Sequence, residues 1–121
     1  MDTVIELAPF TRNWPSVWSN VEYNEFIDWI AANPKSGDVI KGSGGVRKIR
    51  WTGTGRGKRG GARVIFFSAD ADYIYLMTIY AKNQMSDIGA KELKVISAHL
   101  QSMLFSLAAN FYLPELRYEV E

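Results

Sequence analysis

The sequence predicts an α+β domain, a small antiparallel β-sheet flanked by N-terminal and C-terminal helices. Two observations carry this reading. Two apolar runs, 62–68 and 73–80, are separated only by a short turn, the pattern of an antiparallel hairpin. Apolar residues recur at helical spacing on either side, over 20–32 and from about 87 to 109. Both strands are apolar on both faces, which calls for a central position with helices packed against the sheet.

The elements follow in order. Val4, Ile5 and Leu7 fit a short edge strand, after which Pro9 and Pro15 are expected to interrupt any long element. Phe10, Trp14 and Trp18 are costly to expose and are expected to cover the edge of the core. In the 20–32 stretch, Tyr23, Phe26, Ile27 and Ile30 form the apolar stripe. Asn20 is the expected cap, with Tyr23 at the third helical position in place of a capping-box glutamate. Glu22 and Glu25 suit the positive end of the helix dipole, and Asn33-Pro34 ends the element.

Residues 37–61 hold nine of the ten glycines. Between the glycine clusters lies Val46-Arg47-Lys48-Ile49-Arg50-Trp51. As a regular strand it places Val46, Lys48 and Arg50 on one face and Arg47, Ile49 and Trp51 on the other. A bulge there would change that register. Asp70-Ala71-Asp72 is the turn between the two apolar strands. Ser86 or Asp87 can cap the last helix, whose stripe is Leu93, Ile96, Leu100, Leu104, Leu107 and Phe111. Pro114 stops simple continuation. The expected organisation is a single domain over 1–121, with 1–20 as N-terminal cover and 112–121 as a C-terminal tail.

Composition narrows the function. The chain has 121 residues, 47% of them apolar and 22% charged, as in a globular domain. There is no cysteine, which excludes disulfides, thiolate metal sites and a cysteine nucleophile. No apolar run approaches the roughly 20 residues of a membrane span, and the N-terminus carries acids where a signal peptide is basic. A soluble cytoplasmic protein is expected.

The net charge of +1 conceals a strong asymmetry. Eight of the fourteen basic residues fall between Lys41 and Arg63, where there is no acid. Elsewhere, six bases face thirteen acids. Glycine permits close backbone approach, and arginine offers a planar fork to phosphate. This combination suits an anionic polymer, and Trp51 is a candidate for stacking on a base. A solvated, flexible hairpin is the competing reading. Neither glycine cluster has the full spacing of a dinucleotide or triphosphate loop.

Four ordered blocks carry a family resemblance. They are Asn33-Pro34-Lys35-Ser36-Gly37-Asp38-Val39-Ile40, Gly42-Ser43-Gly44-Gly45-Val46-Arg47-Lys48-Ile49-Arg50, Gly57-Lys58-Arg59-Gly60-Gly61-Ala62-Arg63-Val64-Ile65 and Ile79-Tyr80-Ala81-Lys82-Asn83-Gln84-Met85-Ser86-Asp87. The combination resembles toxins of the RelE/ParE superfamily, most closely the HigB-like branch of type II toxin–antitoxin systems. The resemblance implies a RelE-like fold and a ribosome-dependent mRNA endoribonuclease that inhibits translation. It also implies a helix-turn-helix, HigA-like antitoxin as partner. Other superfamily members poison DNA gyrase, so a non-enzymatic inhibitor stays open, as does a basic nucleic-acid-binding module.

Metal-free RNA cleavage needs a base for the ribose 2′-hydroxyl, positive groups for the phosphorane and an acid for the leaving oxygen. Arg63 matches the arginine of the family's Gly-x-Arg position and is the first candidate for phosphate stabilisation. Lys48 and Arg50 match basic family positions, for phosphate binding or proton transfer. Lys82 matches another; beside it, Asn83 stands where many relatives have arginine, which removes one potential clamp. For each of these cations the competing role is solvation of a strand.

Arg47, Arg56, Lys58 and Arg59 read as RNA or ribosome contacts, which set affinity and position rather than chemistry. Some relatives use a C-terminal tyrosine in catalysis, making Tyr112 and Tyr118 candidates by region. Tyr80 is another nearby phenol whose high ordinary pKa needs lowering before it acts as a base. His99, the single histidine, lies outside the basic centre and reads as structural or incidental. No metal site and no cofactor are expected.

Overall fold

The computed structural model describes residues 2–52, 61–69, 72–81, 89–91 and 93–99. Five strands form one sheet: β1 (Thr3–Glu6), β2 (Asp38–Val39), β3 (Val46–Trp51), β4 (Ala62–Ala69) and β5 (Tyr73–Ala81). Their spatial order is β1-β5-β4-β3-β2. β2 to β5 pair antiparallel in succession, while β1 runs parallel to β5 at the far edge. Two helices, α1 (Ala8–Val17) and α2 (Asn20–Ala32), separate β1 from β2. Residues 90–91 and 93–99 are helical and are called α3. The α+β class and the mainly antiparallel sheet agree with the sequence expectation.

The first helix corrects that expectation. Pro9 lies in the first turn of α1, where a missing N–H costs no helical bond, and Pro15 lies inside it. The element persists because Phe10, Trp14 and Trp18 are spaced four apart and meet the core together. Phe10 is fully buried, and the Trp18 N–H closes the helix end on Trp14 O at 2.9 Å. Burial of these rings outweighs the local cost of Pro15.

The cap of α2 is also different. Ser19, rather than Asn20, is the N-cap, which puts Glu22 at the third helical position in place of Tyr23. Glu22 N–H donates to Ser19 Oγ at 3.2 Å, and Ser19 N–H donates to Glu22 Oε1 at 2.8 Å. This reciprocal pair satisfies two amides that would otherwise face water.

The sheet separates two apolar clusters. On one face, α1 and α2 cover Val64, Phe66, Ile74, Leu76 and Ile79. An aromatic chain runs across this layer, Phe10–Trp18–Phe26–Trp51, with centroid spacings of 6.2, 5.0 and 5.4 Å. The opposite face buries Val46, Ile65, Phe67, Tyr73, Tyr75, Met77 and Leu93. The register of β5 shifts between the Ile65 and Phe66 pairings, leaving Met77 as the extra residue of a bulge.

α3 is pinned to the β2–β3 turn. The buried Ser43 donates from Oγ to Ile40 O at 2.6 Å and accepts from Val46 N–H at 3.0 Å. Ser97 Oγ lies 3.3 Å from Ser43 O, also in the interior. Gly44 is in the left-handed region, φ +78°, and a Cβ there would stand 3.2 Å from both Lys94 Cγ and Ser97 Oγ. The glycine is what lets the helix approach so closely.

Candidate nucleic-acid interface

The alternation of β3 is observed as expected. Val46, Lys48 and Arg50 share a face with α3, whereas Ile49 and Trp51 join the cluster beneath α1 and α2. Lys48 and Arg50 are exposed, since α3 covers the Val46 end of the strand and packs with Leu93 and Ile96.

Strand register then assembles the charges. Arg50 pairs with Arg63 across β3–β4, and Arg63 pairs with Tyr80 across β4–β5. The three residues form one row on one face. Cross-strand partners have Cβ atoms about 4.5–5.5 Å apart, within joint reach of one phosphate. Two arginines placed opposite each other concentrate positive potential, and an anion between them relieves the repulsion. The next row is Lys48, Ile65 and Thr78.

Arg63 is half-buried, and its Nη1 donates to Gly61 O at 3.1 Å. Tyr80 is half-buried against the apolar part of the same face. Further along, burial raises the pKa of Tyr75, with the neighbouring Tyr73 adding to the effect. That phenol keeps its proton and belongs to the core.

Two sequence candidates leave this face. Trp51 is 8% exposed and packs with Phe26 and with Trp29, whose ring centroid is 4.9 Å away. Its ring is turned into the core, so the expected role in stacking on a base is corrected. The residue type suits a base, but the strand period sends it to the other side. Arg47 also points to the α2 side of the sheet, and its Nη1 donates to Lys35 O at 2.9 Å. It braces the turn after α2.

Register adds one residue that charge counting missed. Asp38 pairs with Lys48 on the same face, so an acid enters an apparently all-basic surface. β2 is only two residues long, and nothing in its own composition marks it as a strand. Lys82, Arg56, Lys58, Arg59, Tyr112 and Tyr118 lie outside the described residues. His99 is exposed on α3. Among the described residues, no three His, Cys, Asp or Glu side chains gather as a metal site, and no helix is long and apolar enough to cross a membrane.

A family model described as the RelE toxin of the RelE/RelB toxin–antitoxin system matches residues 31–111. The chain belongs to the RelE toxin family. The matched segment starts in the last turn of α2 and takes in β2 to β5 and α3. It therefore includes the whole Arg50–Arg63–Tyr80 row and stops one residue short of Tyr112. Membership in the RelE family makes this the toxin of a toxin–antitoxin system, with an antitoxin as its partner.

Proposed function

We propose that this toxin is a ribosome-dependent mRNA endoribonuclease of the HigB-like branch, which stops translation by metal-free cleavage. The observation that carries the reading is the row of Arg50, Arg63 and Tyr80 across three strands, with Lys48 beside it. The ribose 2′-hydroxyl attacks its own phosphate and loses a proton. The new P–O bond forms as the bond to the 5′ oxygen breaks, and that oxygen takes a proton. The products are a 2′,3′-cyclic phosphate and a 5′-hydroxyl.

Arg63 stabilises the charge that builds on the phosphorane, where a fixed donor contributes most. Lys48 and Arg50 hold the phosphate from the adjacent strand. Tyr80 is the phenol of the row, paired with Arg63 across β4–β5, and is placed to exchange a proton with the reacting oxygens. Lys82, which follows β5, completes the proposed cationic set, while Arg56, Lys58 and Arg59 contact ribosomal or messenger RNA. The antitoxin is a HigA-like helix-turn-helix protein, and the toxin acts in the cytoplasm.

Primer extension on mRNA bound to programmed ribosomes tests the reading with the wild-type protein and Arg63→Ala. Cleavage by the wild type and its loss in the variant are expected. Full cutting by Arg63→Ala would reject the role of that arginine. Intact mRNA together with accumulated DNA breaks would replace the reading with a gyrase poison.

A further inference from the structure

We propose that Gly61 is a positioning residue that aims the Arg63 guanidinium at the scissile phosphate. The inference rests on the endoribonuclease reading. Arg63 lies near the start of β4, two residues after Gly61, and donates from Nη1 to the Gly61 carbonyl at 3.1 Å. A long arginine side chain samples many rotamers. A main-chain anchor removes much of that freedom before substrate arrives.

The carbonyl is itself held in place. Gly61 has φ +65°, in the left-handed region. A Cβ at this position would stand 2.8 Å from Trp51 O and 2.8 Å from Thr52 Cγ2. Trp51 cannot yield readily, because its ring is wedged between Phe26 and Trp29 in the aromatic layer. The constraint therefore runs from the core, through the Trp51 carbonyl and Gly61, to a guanidinium on the opposite face of the sheet. A side chain at Gly61 must turn its carbonyl or push the β3–β4 end apart, and either movement misdirects Arg63.

A double-mutant cycle tests this in the full chain. Single-turnover cleavage on programmed ribosomes is measured for wild type, Gly61→Ala, Arg63→Ala and the double variant, with thermal unfolding as the check on folding. Gly61→Ala is expected to slow cleavage roughly 10- to 100-fold. The half-saturating ribosome concentration should move less than about 2-fold, because the loss falls on the transition state. The double variant should be no slower than Arg63→Ala alone, within about 2-fold.

Wild-type rates in folded Gly61→Ala, or losses that multiply in the double variant, would overturn the proposal. If Gly61→Ala does not fold, Arg63→Lys takes its place. It keeps the charge but not the guanidinium held on the Gly61 carbonyl, so a roughly 10-fold or greater slowing is expected and wild-type cleavage would overturn the proposal. An inactive wild type sinks the endoribonuclease reading and this inference together. An active wild type that is indifferent to Gly61 removes only the inference.

Discussion

The two faces of the sheet solve opposite problems with the same strands. Beneath α1 and α2 the surface is apolar from Ile74 to Trp51 and sealed by rings. Among the described residues, the opposite face is apolar where α3 and β1 lie, around Val46, Tyr75 and Leu93, and turns basic toward Lys48, Arg50 and Arg63. In β3 the two requirements alternate residue by residue. The comparison shows what a cationic site needs from its support. Like charges set side by side oppose folding, and the aromatic layer behind them offsets that repulsion. Stability and activity should therefore separate by face.

Trp51→Ala is the strongest way to break that separation. Removing a buried ring should cost about 3–5 kcal/mol by denaturant unfolding. A loss below about 1 kcal/mol would mean that the layer does not support the strand end.

Arg63→Ala probes the other face. It should lower the cleavage rate roughly 100- to 1000-fold, as loss of a fixed transition-state donor does, while stability changes by only about 1 kcal/mol, as for loss of one half-buried hydrogen bond. A large stability loss would show that Arg63 belongs to the scaffold.

Ser43→Ala sharpens the boundary between the apolar and basic parts of the second face. It leaves the buried Val46 amide without its acceptor, at a cost of about 1–3 kcal/mol. Hydrogen exchange should accelerate at Val46 first.

The smallest effect concerns pH and belongs to the α1–α2 side. Burial first, and then the hydrogen bond and charge of Glu6, push Tyr23 from 10.0 up to about 12. A phenol whose pKa is raised by folding stabilises fully below the unfolded value. That contribution is lost as pH rises from about 10 to about 12. Unfolding free energy should fall across that window in wild type and less in Tyr23→Phe. Equal slopes would refute the coupling.

Much of this arrangement was legible from residue order alone. The alternation of Val46 to Trp51 determined which cations share a face, and the apolar runs marked β4 and β5 as central. α1 was hidden because local proline chemistry argues against a helix, while the three rings that hold it together act only through tertiary burial. Ser19 was missed as the cap by one position, although Glu22 stands three residues on, the spacing of a capping box. Trp51 was placed on the correct side of β3, but its aromatic character suggested a ligand where packing supplied Phe26 and Trp29 instead. Asp38 was invisible as a neighbour of Lys48 because a two-residue strand has no period to read.

The parallel pairing of β1 with β5 also governs the order of assembly. Thr3 meets Tyr73 across 70 positions of sequence, whereas β3, β4 and β5 meet through much shorter loops. Long-range closure is slow compared with local pairing. On a translating ribosome, at about 5–20 residues per second, the first strand waits roughly 4 to 14 s for its partner to be made. A nascent chain interrupted before Tyr73 has neither the partner for its first strand nor Tyr80, so an incomplete toxin lacks its closed sheet and one member of the Arg50–Arg63–Tyr80 row together.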